Sequence, residues 1–307
     1  NFRQFQTIPG CDEEKINALV KINDSQLLTG GDGCSLNYWE EKNCEFSKVA
    51  SYTTDKISYI LLLRNKNILT SYGKNTNYTI QIWIPNLNYN NDYNLSNNRG
   101  TRATQIFQNY NEESPLSKPQ RMTINNFLLR KVISNGPKDN PSQNNNQNQN
   151  INFPYEKTIS FLSNHKGDIT SMIEINDTQF ASAGIDSKIF IWKEDDTGKY
   201  TIIQEFKGIN DSVNAMFLLF DSRIISGTSS NTIYIWHNKI DTVLNPNNQY
   251  SIQRKLNLQD EKILSLYQIL EGPFLSGSNK SILTIWDEVD DIYKQIQKID
   301  LRIQDIV

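Results

Sequence analysis

The sequence predicts an all-β protein assembled from repeated four-stranded antiparallel units, and three observations carry that reading. The first is internal self-similarity. KINDSQLLTGGDGCSLNYW (21–39) lies over EINDTQFASAGIDSKIFIW (174–192) without a gap, sharing Ile-Asn-Asp-Ser/Thr-Gln and the final tryptophan. The second is where the five tryptophans fall. Trp39, Trp83, Trp192, Trp236 and Trp286 each close an alternating apolar run: SLNYW, TIQIW, KIFIW, TIYIW and ILTIW. The third is period-two alternation of β-branched and aromatic residues between clusters of Gly, Asn, Asp and Ser, the pattern of short strands joined by tight turns.

Successive tryptophans are 44, 109, 44 and 50 residues apart, so the long gap holds about two periods plus an insertion, with one unit lacking its Trp. A repeat of this length is that of propeller blades. A Ser or Thr stands ten residues before the Trp at Thr29, Ser182, Ser226 and Ser276, while Thr70 precedes Trp83 by thirteen, which implies a longer turn there. The fourth unit is the clearest: ITSMIEI (169–175), QFASAGI (179–185), KIFIWK (188–193) and YTIIQEF (200–206) read as its four strands. Between 84 and 163 the pattern weakens. ATQIFQNYN (103–111) suits the outer strand of the second unit, KPQRMTI and FLLRKVIS the first two strands of a Trp-less third, and KTISFLSN its outer strand. NLNYNNDYNLSNNRG (86–100) and PKDNPSQNNNQNQN (137–150) interrupt this region. The second is nearly pure Asn/Gln with almost no apolar content, and is expected to be a flexible insertion in a single domain spanning 1–307. FRQFQTI (2–8) resembles an outer strand and IQDIV (303–307) an inner one. The expected frame is therefore seven-bladed, with six units recognisable and the last blade incomplete in this chain. The first residue is Asn1, which fits a processed chain or a piece of a longer one.

Composition narrows the function. Thirty-one basic against 34 acidic side chains give a net charge of −3, which argues against nucleic acid as a partner. Cys11, Cys34 and Cys44 form no CxxC pair and cannot all pair within the chain, which fits a reducing, intracellular and cytoplasmic setting. No apolar run approaches the roughly 20 residues of a membrane span, and the N-terminus lacks a basic-then-apolar signal, so no membrane insertion is expected.

The segment NHKGDITSM…FASAGIDSKIFIW resembles the signature of the WD-repeat family. That resemblance implies a β-propeller and a structural tetrad of His165, Ser182, Asp186 and Trp192, with Asn164 where the family has Gly. The buried indole N–H and hydroxyl need partners, and a carboxylate bonded to imidazole completes a satisfied chain. Other units depart from the pattern: Ser230 and Lys280 hold the turn-Asp position, Ile209 the His position, and Gly33 stands beside Asp32 in the first unit. Trp39, Trp83, Trp236 and Trp286 mark the remaining blades.

His165, Ser182 and Asp186 can also be drawn as a catalytic triad. Their placement on strands and turns, without a cleft or oxyanion donors, favours a structural bond chain and no enzymatic activity. His237, just after Trp236, is expected on the surface. GGDGCS (30–35) lacks the spacing and lysine of a phosphate loop, no Cys/His spacing suggests zinc, and the acidic runs do not form a calcium loop, so no cofactor or metal is expected. The triplets NDS (23–25), NYT (77–79) and NDT (176–178) read as turn chemistry.

What remains is interaction. The resemblance implies a noncatalytic scaffold or adaptor, a subunit of a larger complex that binds proteins or peptides. The alternative is a regulatory or targeting propeller of a larger enzyme, such as a kinase or ubiquitin ligase. Aligning the starts of the inner strands gives Lys15, Lys56, Asp168, Ser212 and Lys262 at one position, which in this fold lies at the rim of the top opening. The three lysines would form an arc facing Asp168 and suited to an acidic or phosphorylated peptide. Neighbouring Asp12, Glu13, Glu14, Asp55, Asp260 and Glu261 could equally neutralise them.

Overall fold

The computed structural model describes residues 15–74, 77–86, 89, 153–239, 249–259, 261–290 and 292–302. All belong to one unit, formed by residues 1–89 and 150–307. They build five four-stranded antiparallel sheets. Sheet I holds β1 (Ile16–Asn23), β2 (Gln26–Gly31), β3 (Ser35–Lys42) and β4 (Glu45–Thr53). Sheet II holds β5 (Ile57–Leu62), β6 (Ile68–Lys74), β7 (Asn77–Pro85) and β8 (Tyr155–Leu162). Sheet III holds β9 (Ile169–Asn176), β10 (Gln179–Gly184), β11 (Ile189–Glu194) and β12 (Tyr200–Glu205). Sheet IV holds β13 (Val213–Leu218), β14 (Ile224–Thr228), β15 (Thr232–Lys239) and β16 (Gln249–Asn257). Sheet V holds β17 (Ile263–Gln268), β18 (Phe274–Ser278), β19 (Ile282–Val289) and β20 (Ile292–Asp300). Within each sheet every strand pairs with the next in sequence, so every sheet is a simple meander.

Short polar side chains close the turns. Asn23 Oδ1 accepts the Ser25 amide at 3.0 Å and Asn176 Oδ1 the Thr178 amide at 3.0 Å, so the NDS and NDT triplets are indeed turn elements. The third triplet, Asn77–Thr79, lies instead within β7.

The alternating strands bury apolar side chains on both faces, and the core lies between successive sheets. Leu28 and Leu36 of sheet I pack with Ile57, Ile68 and Trp83 of sheet II. Leu69 and Ile80 of sheet II meet Met172, Phe180 and Trp192 of sheet III. Ala181 and Ile189 of sheet III meet Met216 and Trp236 of sheet IV, whose Ile225 and Ile233 meet Phe274 and Trp286 of sheet V. Four of the five indoles thus cover the preceding sheet, and burying each contributes on the order of 2–3 kcal/mol. A second joint recurs between inner strands. Asn17 Nδ2 donates to the Ile57 carbonyl at 3.0 Å, Thr170 Oγ1 to that of Val213 at 2.5 Å, and Asn214 Nδ2 to that of Ile263 at 2.9 Å. In sheet II the same place holds Ser58, whose hydroxyl is buried without a hydrogen-bond partner.

One expectation is overturned. KTISFLSN does not form the outer strand of a Trp-less third unit, because β8 pairs with β7 and closes sheet II, from Thr79↔Leu162 to Pro85↔Tyr155. The place expected for ATQIFQNYN at the edge of sheet II is taken by β8. ATQIFQNYN, KPQRMTI, FLLRKVIS, the 137–150 insertion, both terminal strands and Cys11 lie outside the described residues. No helix among the described residues is long and apolar enough to cross a membrane, a statement that does not extend to strands.

Candidate functional site

A buried polar cluster lies where the loop from β8 enters sheet III. Trp192 Nε1 donates to Ser182 Oγ at 2.9 Å, Ser182 Oγ lies 2.9 Å from His165 Nε2, and His165 Nδ1 lies 3.0 Å from Asp186 Oδ1. An indole can only donate and a carboxylate can only accept, so with a neutral imidazole the chain has one consistent polarity. The serine hydroxyl donates to Nε2, and the Nδ1 proton goes to the carboxylate. Asp186 also accepts the amides of Lys166 at 2.8 Å and Lys188 at 3.3 Å. Burial works against the charge of Asp186, but the bonds from His165 and from these two amides outweigh it and hold the carboxyl below its ordinary value.

Backbone geometry makes the cluster possible. Asn164 adopts φ 56°, a left-handed conformation that asparagine tolerates far better than most residues, so it serves where the family has glycine. Gly184, which residue-type reasoning overlooked, is equally necessary. A Cβ there would stand 2.9 Å from Asp186 Oδ1 and 3.0 Å from His165 Nδ1. The signal was a glycine two residues before the turn aspartate.

The other tryptophans repeat only the first bond. Trp39 donates to Thr29 at 2.9 Å, Trp83 to Thr70 at 2.8 Å, Trp236 to Ser226 at 2.9 Å and Trp286 to Ser276 at 2.9 Å. In sheet II the chain ends differently: Thr70 Oγ1 bonds Tyr72 Oη at 2.7 Å, and burial raises the pKa of that phenol.

Residues 156–193 match the family described as WD domain, G-beta repeat. This stretch runs from the outer strand of sheet II through the β8–β9 loop to just past Trp192. The solved WD40 beta propeller domain of Doa1 is similar to this chain with a TM-score of 0.53 and 15% identity, covering 93% of this chain and 69% of that one. The fold is a β-propeller, in which residues 156–193 match one WD repeat. No curated protein matches in sequence.

In the propeller, the aligned residues before each inner strand occupy equivalent places. The carbonyls of Lys15, Asp168, Ser212 and Lys262 each accept an amide from the turn between the second and third strands, at 3.0, 3.1, 3.0 and 3.1 Å. Their side chains diverge. Lys56 Nζ lies 3.4 Å from Asp32 Oδ1 and 3.8 Å from Asp168 Oδ2. Asp168 is thus an immediate partner of Lys56 rather than a residue facing it from across an arc, because β8 closes sheet II and makes β5 and β9 neighbours. Asn17 Nδ2 bonds Asp32 at 2.8 Å, and with Lys56 it lowers the pKa of that carboxyl. Ser212 Oγ donates to the Ile185 carbonyl at 2.9 Å. Lys15 and Lys262 are exposed. Glu261 bonds Lys298 at 2.7 Å and does not neutralise its neighbour Lys262. His237 is exposed, as are the thiols of Cys34 and Cys44. Among the described residues no group of three or more His, Cys, Asp or Glu is placed to hold a metal ion.

Proposed function

We propose that this propeller is a noncatalytic scaffold or adaptor, an intracellular subunit of a multiprotein assembly that binds an acidic or phosphorylated peptide through Lys15, Lys56 and Lys262. The observation that carries the noncatalytic part is the closure of the His165 chain on itself. Ser182 is fully buried and already bonded to both Trp192 and His165, and His165 is 5% exposed and bonded on both ring nitrogens. A nucleophile must reach solvent and substrate, and this hydroxyl reaches neither.

The peptide-binding part rests on the head of the inner strands. Lys15 and Lys262 are exposed there, and Lys56 is held by two half-exposed carboxylates in pairs of the kind worth little in water. A phosphate or carboxylate ligand can take over Lys56 at small cost and gains the other two ammonium groups.

The test is a pull-down from the native source with the wild type and a Lys15→Glu/Lys56→Glu/Lys262→Glu variant, followed by titration of each captured partner's acidic or phosphorylated peptides. Loss of those partners from a variant with an unchanged melting curve supports the reading. An unchanged partner set overturns it.

A further inference from the structure

The turns joining the first two strands of each sheet are equivalent by register, and one position in them changes character around the molecule. Counting from the first residue of β1, β5, β9, β13 and β17, the eighth residue is Asn23, Arg64, Asn176, Phe220 and Leu270. In sheets I and III the asparagine caps its own turn. In sheets IV and V the position holds large apolar side chains that are 70% and 89% exposed, although those turns need nothing apolar: Asp221 Oδ1 caps the first by accepting the Arg223 amide at 3.0 Å. Tyr267 and Ile269 extend the apolar surface at 60% and 41% exposure. The two turns are tied together, since the Phe220 amide donates to Gln268 Oε1 at 2.7 Å and Tyr267 meets Phe217 edge-on at 5.5 Å.

The charges around this patch are unequal. Asp221 and Glu271 follow Phe220 and Leu270 directly in the chain and Glu288 is joined to Asp221 through Arg223, the one cation paired with these carboxylates among the described residues. An exposed apolar pair beside surplus carboxylate is poorly matched to an anionic lipid surface, and it fits a polypeptide that offers apolar anchors flanked by lysine or arginine. We infer that Phe220 and Leu270, with Glu271 at their edge, form a docking site for a basic, apolar-anchored peptide segment of a partner protein. This surface is independent of the lysines at the other end of the inner strands.

The asparagine found in sheets I and III supplies the variant for the test. Phe220→Asn/Leu270→Asn installs a residue these turns already accept, so folding should be preserved and is checked by thermal melting. The probe is a phage-displayed library of random peptides of about 12 residues, selected on the full chain. The selected peptides are expected to pair large apolar residues with Lys or Arg. They should bind the double variant at least about tenfold more weakly, and weaken with added salt and with Glu271→Lys. Selected peptides that bind wild type and double variant alike, or that carry no basic residues, overturn the inference. So does a patch-dependent self-association in sedimentation, or patch-dependent binding to neutral phosphatidylcholine vesicles, since either assigns the surface to another occupant.

Discussion

Sheets III and V set the same two groups in the same register and then part ways. Phe180↔Trp192 and Phe274↔Trp286 are equivalent pairs, and each indole bonds a serine at 2.9 Å. In sheet III that serine is also hydrogen-bonded to His165, which is anchored by Asp186. In sheet V the turn position holds Lys280, the Thr284 hydroxyl is buried without a partner, and Glu261 bonds Lys298 while its second oxygen is unpaired. Ile189 and Ile191 are covered by sheet IV, whereas their counterparts Leu283 and Ile285 have no following sheet among the described residues. The indole–hydroxyl bond therefore suffices to specify a blade, and the His–Asp extension is an addition that one sheet carries.

The largest expected effect is that of the ring itself. Trp192→Ala should cost about 3–5 kcal/mol in denaturant unfolding, and Trp286→Ala less, because losing Trp192 also removes the donor to the hydroxyl that holds His165. Equal losses would erase the contrast between the two sheets. Next come the serines. Ser182→Ala strands both the indole N–H and the imidazole acceptor and should cost about 2–3 kcal/mol, against about 1 kcal/mol for Ser276→Ala, which strands only the indole.

A pH series sharpens the same contrast. The folded Asp186 carboxyl lies below its ordinary value of 3.8, so its contribution is complete above that pH and is lost as pH falls through the folded value. The stability gap between wild type and Asp186→Asn should stay constant at neutral pH and narrow in acid, while the gap for Ser276→Ala should not move. The smallest effect belongs to Tyr72→Phe in sheet II. It removes one partner of Thr70 and should cost about 1 kcal/mol by thermal or denaturant melts.

The blades that were legible in sequence were those whose information is local. A Trp and a hydroxyl ten residues before it are set by one hairpin, so spacing alone paired Ser182 with Trp192, and Asp186 and His165 followed from the resemblance. Sheet II was misread because β7 and β8 meet across residues 86–154, and strand pairing over such a distance leaves no periodic trace. Gly184 escaped notice because its role is to have no side chain. The neighbours of Lys56 escaped because Asp32 and Asp168 come from two other sheets and become adjacent only once the order of the sheets is known. Phe220 and Leu270 look like ordinary strand residues in sequence. Their exposure becomes meaningful only when register aligns them with Asn23 and Asn176.

The central claim is that His165, Ser182, Asp186 and Trp192 act as one structural network. A double-mutant cycle of Asp186→Asn and Trp192→Phe, read by denaturant unfolding, tests it most directly, because the two side chains sit at opposite ends of the chain and communicate through Ser182 and His165. The expected result is a coupling energy of about 1 kcal/mol, with the double variant less destabilised than the two single losses combined. Additivity within about 0.3 kcal/mol would contradict the account, since it would mean the two ends of the chain stabilise the sheet independently.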